Sequence, residues 1–198
     1  VAISRASNSS IQGGLPKFND IWDGTTATSA YDAISHVTLN SAQSTIVFNN
    51  IPATYTHLEI RSFAANSSST GQYVKLILNS DSASGNYSEH HLAGNGTAAS
   101  AGGNASFNNG GFFWAMGIPG TNNANVFGAG ITSILDYANT NKYKTVRSFD
   151  GFDANGSGGI NLVSNNWRSF SAITSITLSP NEGNNFRQYS SIALYGIK

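Results

Sequence analysis

From Tyr31 onward, short runs of branched, aromatic and aliphatic residues alternate with clusters of Asn, Asp, Gly, Ser and Pro, and no amphipathic helical period interrupts them. A chain patterned this way is restricted to strands joined by turns. The clearest case is Asn125 to Arg147, NVFGAGITSILDYANTNKYKTVR. Val126 to Leu135 is a β-prone run, and Ile131, Thr132, Ile134 and Leu135 suit a pleated surface better than a helix. The corner from Asp136 to Asn141 is rich in Asn, Asp and Thr, whose side chains bond locally to backbone, and a second strand leaves at Tyr143. This stretch predicts a central hairpin.

Other strands are predicted around it. Ile34 to Leu39, Ile46 to Phe48, Thr56 to Ala65, Tyr73 to Leu78 and Tyr87 to Leu92 come first. In the third of these Leu58, Ile60 and Phe63 alternate with His57, Glu59 and Arg61, with a slip at Ser62, which predicts one wet face and one core face. Gly94 to Gly111, made of Ala, Ser, Gly and Asn, reads as a long surface loop. Phe112, Phe113, Trp114 and Met116 then form a dense apolar strand, buried on both faces or against a symmetry mate. After the hairpin, Ile160 to Val163 reads as a short strand, Trp167 to Phe170 as a connection, and Ile173 to Leu178 and Tyr189 to Ile197 as closing strands. About ten short strands with turn chemistry between them predict an all-β domain, an antiparallel β-sandwich of jelly-roll type.

Residues 1–30 differ. They are polar, broken by Gly13, Gly14 and Pro16, and carry only isolated anchors. Such a segment cannot bury enough apolar area to fold alone. Phe18, Ile21 and Trp22 are costly to leave in water, so residues 1–30 are expected to be an extended N-terminal arm that anchors on a partner, with residues 31–198 as the sandwich domain. Composition agrees with a chain that packs on other proteins: charged residues make up 10% of the 198 and the formal net charge is zero. No electrostatic argument for nucleic acid or an anionic membrane exists, and no apolar run approaches the roughly 18–20 residues of a membrane span. Without cysteine, disulfides, thiolate zinc and a cysteine nucleophile are all excluded.

Candidate chemistry is sparse. Glu89-His90-His91 is the one cluster with metal or acid–base residue types, and in a strand His90 and His91 face opposite ways. His36 and His57 lie on other predicted strands. Asp153-Ala-Asn-Gly-Ser-Gly158 has the oxygen spacing of a calcium loop, but its twelfth position is Ser164 where a bidentate Glu is needed. A tight hairpin turn at Asn155-Gly156 accounts for it as well. G-x-S-x-G is missing, and the Gly-rich segments do not lead into a helix, so neither a nucleophile elbow nor a phosphate loop is expected. Tyr87, Trp114, Tyr143 and Trp167 offer flat faces that suit either a core or a sugar ring.

Several stretches in order carry a resemblance: IPATYTHLEI from Ile51, the segment from Asn79 with its SGNYSEHHLAGNG, ILDYANTNKYKTVR, GFDANGSG, AITSITLSP and the final QYSSIALYGIK. Together, over about residues 33–198, they resemble a family of tailed-bacteriophage structural proteins. The resemblance implies a virion component assembled in the bacterial host cytoplasm, with no catalysis, cofactor or metal. The expectation is a capsid decoration protein, a homotrimer on the head that braces the major capsid protein through Phe18, Ile21 and Trp22. The rival is a tail-fibre or tail-tip adhesin for host surface glycan. A glycan-degrading enzyme, which needs two carboxylates in one groove, is a third and weaker reading.

Overall fold

The computed structural model describes residues 30–106 and 111–198, with the backbone but not the side chains of 113–116. The anchors Phe18, Ile21 and Trp22, and with them the arm, lie outside the described residues. Tyr31–Lys198 is one compact unit.

Its strands are β1 (Tyr31–Thr38), β2 (Ile46–Phe48), β3 (His57–Ala64), β4 (Gln72–Leu78), β5 (Tyr87–Gly94), β6 (Ala99–Asn104), β7 (Phe112–Ile118), β8 (Gly128–Leu135), β9 (Lys144–Asp153), β10 (Gly158–Trp167), β11 (Ile176–Pro180) and β12 (Ser191–Ile197). They form two antiparallel sheets packed as a sandwich. The eight-stranded sheet runs β1-β12-β3-β8-β9-β10-β5-β6, and the four-stranded sheet runs β2-β11-β4-β7. The core between them includes Leu58, Ile60, Ile134, Val146 and Leu194 from the large sheet, and Phe48, Val74, Leu76, Leu78, Phe112, Ile176 and Leu178 from the small one. Period-two alternation selects these residues, because successive strand side chains point to opposite faces.

The central hairpin forms as expected, with β8 and β9 paired from Ala129–Gly151 to Leu135–Thr145. Its corner is pinned by a buried lysine: Lys144 Nζ donates to the carbonyls of Asn139, Lys142 and Ser169. Asp136, at φ 48°, donates its backbone N–H to His57 Nδ1 at 2.9 Å and pairs with Lys142. The Asp153–Gly158 segment is a hairpin turn. Ala154 N–H bonds Ser157 O at 2.8 Å, and Asn155 and Gly156 sit at φ 55° and 100°, the double positive φ of a type I′ turn.

Four expectations are corrected. Gly94–Gly111 is not all loop, because β6 pairs with β5 from Glu89–Asn104 to Gly94–Ala99. Backbone pairing on a neighbour's edge makes a strand of a sequence with almost no side-chain signal. β10 runs on to Trp167, which is a buried strand residue rather than part of a connection. β11 begins at Ile176, with buried Ile173 in the loop before it. In β3 the alternation does not slip: Ser62 points inward, and Phe63 points out and stacks on Phe127 at 5.2 Å.

Candidate functional site

In the half of the large sheet made by β9, β10 and β5 the two faces are mixed: Tyr87, Val146, Val163 and Trp167 are buried, but polar groups are buried beside them and apolar ones are exposed. On β9, Ser148 and Asp150 face the core while Phe149 is exposed. On β10, Asn161 and Asn165 are buried while Ile160 and Leu162 are exposed. On β5, Glu89 is buried while Leu92 is exposed.

The inward polar groups are only partly satisfied. Asp150 Oδ1 accepts from Gly117 N at 2.6 Å and Asn161 Nδ2 at 2.7 Å. Glu89 Oε1 accepts from Asn104 Nδ2 at 3.1 Å and lies 3.3 Å from His91 Nδ1. Burial pushes both carboxyls above their ordinary range, with these bonds opposing it. The Tyr73 hydroxyl is pushed up too, first by burial and then by the charges of Asp150 and Glu89. Glu89 Oε2, Asp150 Oδ2 and both amide atoms of Asn165 are buried without a hydrogen-bond partner among the described residues. Each such group costs about 1–3 kcal/mol. Exchanging the two faces would hydrate the carboxylates but expose Tyr87, Val146, Val163 and Trp167, so these strands keep their own core residues inside and leave other apolar side chains outside.

On the outer face the apolar side chains fall into register. Ile131 on β8 is opposite Phe149 on β9, Phe149 is opposite Leu162 on β10, and Leu162 is opposite Leu92 on β5. Each is between 45% and 54% exposed. This ridge crosses four adjacent strands with no charged group in it. On one side of it lies a trough of about 980 Å³. Small residues, Ala129, Gly130 and Gly151, form its floor; Ile131, Phe149 and Ile160 wall it, and the turns at Asn95–Thr97 and Asp153–Gly158 close one end. On the other side, His90, Arg147 and Ser164 border a recess of about 620 Å³. Arg61, opposite Ile131, ends the ridge; its guanidinium is 2.8 Å from Glu59 and lies over the rings of Tyr31 and Tyr195.

The residues singled out from sequence are placed as follows. His90 points out and His91 in, as their alternation requires. Among the described residues no three of His, Cys, Asp and Glu converge in a way that would hold a metal ion. Tyr87 and Trp167 are core: the Tyr87 hydroxyl bonds Leu78 N and Asp81 O, and Trp167 Nε1 donates to Asp81 at 2.7 Å. Tyr143 is exposed and tilts against Phe170, with ring centroids 4.9 Å apart. The Trp114 side chain lies outside the described residues. Ile131, Phe149, Ile160, Leu162 and Leu92 were not anticipated as a surface, because their types read as core; only the alternating Asp150, Asn161 and Glu89 beside them hinted otherwise.

No family model, curated protein or solved structure matches this chain. Among the described residues no helix is long and apolar enough to cross a membrane.

Proposed function

We propose that this protein is a structural component of a bacteriophage virion, a head-surface decoration protein whose sandwich is an assembly module. The observation that carries the reading is the exposed apolar ridge across β8, β9, β10 and β5. Contiguous exposed apolar surface on a soluble domain marks an interaction site, and here it is kept at the expense of buried polar groups. Low charge and a polar, Asn- and Ser-rich body fit a protein held by many neighbours. A finer view of the fold goes with it. With β5, β6, β9 and β10 set aside, the sheets read β1-β12-β3-β8 and β2-β11-β4-β7, the interleaving expected of a jelly roll. The larger sheet is then a jelly-roll sheet widened by two inserted strand pairs, and the widening supplies most of the apolar ridge.

The test is mass spectrometry of purified virions split into heads and tails. Retention on heads at near-capsid copy number is the expected result, with residues 1–30 protected from protease only on the particle. Absence from virions overturns the reading. One observation favours a second reading, a tail adhesin for host glycan: the trough sets the Phe149 ring beside polar turns carrying Asn95, Thr97, Asp153 and Ser157, a combination suited to a sugar ring. Low copy number on tails, with glycan-array binding lost in Phe149→Ala, would select it.

A further inference from the structure

We infer that the outer face of the large sheet is covered by the same face of a second copy of this chain, across a two-fold axis. The inference rests on the reading of that face as a protein contact and names the partner.

Three observations point to self-association. The first is shape. The face carries a ridge, Ile131-Phe149-Leu162-Leu92, directly beside a trough floored by Ala129 and Gly151. A surface holding both a knob and a hole complements itself under two-fold rotation, since residue i meets j and j meets i. The Phe149 ring of each copy enters the trough of the other. Sheets packed face to face sit about 10 Å apart with interdigitated side chains, and half-exposed Phe and Leu fill such a gap.

The second is charge. A copy brings identical charges to the contact, so a self-contact is penalised wherever the patch is charged. The ridge itself has none; beside it Arg147 is a single exposed cation on the same face, and at its end Arg61 is already paired with Glu59. A partner of opposite charge would call for a cluster of like charges, and this face offers only the one cation, Arg147, beside the ridge. The chain as a whole is neutral as well.

The third is size. Six strands, β3 to β6 in sheet order, by about eight residues cover roughly 29 by 27 Å at ordinary strand spacing and rise. That is close to the ~800 Å² per partner of a standard stable interface. A three-fold assembly would need two different patches, whereas one self-complementary face makes pairs.

Sedimentation equilibrium of the full 198-residue chain tests this, alongside Leu162→Lys and Ala129→Trp. Both positions are exposed on the outer face, so both variants are expected to keep the wild-type circular dichroism. Leu162→Lys places like charges at the contact, and Ala129→Trp fills the trough. The expected result is a wild-type dimer, with the dissociation constant raised by roughly 30-fold or more in each variant, as for a central contact residue. A wild-type chain that stays monomeric at about 100 μM overturns the inference, as does an oligomer that both variants leave intact. In either case recovery on virion heads would still stand as a separate result, and the face would then belong to another virion protein. A monomer that binds glycan would instead support the adhesin.

Discussion

Replacing Leu162 by Ala separates an apolar side chain held for a partner from one held for the fold. Leu162 is 54% exposed on the outer face of β10. Fully burying a leucine is worth about 1.5–3 kcal/mol, so the buried fraction here contributes roughly 1 kcal/mol at most. Truncation opens no cavity, because the site is already open to solvent, and the cavity cost that dominates core substitutions does not arise. The comparison is Leu76→Ala on β4, where the side chain is fully buried between the sheets. There the expected loss is about 2–5 kcal/mol. At roughly 2–4 °C per kcal/mol for a domain of this size, Leu162→Ala lowers the melting temperature by about 2–4 °C and Leu76→Ala by about 4–20 °C. Urea unfolding at sub-micromolar protein keeps association out of the measurement. A loss of about 2 kcal/mol or more for Leu162→Ala in dilute solution would mean that the ridge is covered within a single chain. The argument from the exposed ridge would then fail.

Three further outcomes follow from the same geometry. Lys144→Met removes the ammonium that three corner carbonyls share and is expected to cost about 3 kcal/mol in urea unfolding, since each charged hydrogen bond is worth about 1.5–3 kcal/mol before the desolvation of the lysine is set against it. Gly156→Ala forces a Cβ onto a residue at φ 100° in the type I′ turn and is expected to cost about 1–2 kcal/mol, measured as a lower melting temperature with an unchanged β-sheet circular dichroism spectrum. Asp150→Asn keeps an oxygen for Gly117 and Asn161 but carries no buried charge. Because burial raises the Asp150 pKa in the folded state above its ordinary 3.8, the native state holds the extra proton between those two values, and wild-type stability falls as pH rises through that window. The stability advantage of Asp150→Asn over wild type should therefore shrink as pH is lowered from about 7 to about 4, and an advantage that grows would contradict the sign.

Much of the sandwich was legible in the chain. β-branched residues and turn chemistry marked β1 to β5 and the β8–β9 hairpin, because those signals are local. The Asn155-Gly156 turn was legible for the same reason: positive φ at two successive positions admits few residue types. What was missed depended on neighbours. Ala99–Asn104 has almost no strand propensity and becomes β6 only because β5 offers it an edge. Phe63 reads as core until the register with β8 sets Ser62 inward and Phe63 against Phe127.

The site shows the division most plainly. Alternation alone establishes that Phe149 and Asp150, or Asn161 and Leu162, lie on opposite faces, since the strand period is two. Which member of each pair faces the core is a single binary choice for the whole sheet. Ordinary hydrophobic reasoning places Tyr87, Val146, Val163 and Trp167 correctly and Phe149, Leu162 and Leu92 wrongly, because it assumes that every apolar side chain is covered within the chain. Pairing settles it instead. β9 hydrogen-bonds to β8, and β8 is held by β3, whose inward Leu58 and Ile60 anchor the sheet to the core. Once that register is set, every further strand inherits its facing, and Phe149, Leu162 and Leu92 are carried outward together. The sequence by itself determined the strands, the turns and the partition of residues between two faces. Only the tertiary structure decided which face looks out on β5, β9 and β10, because both faces of these strands carry apolar residues and the facing is transmitted by hydrogen-bonded neighbours far apart in the chain.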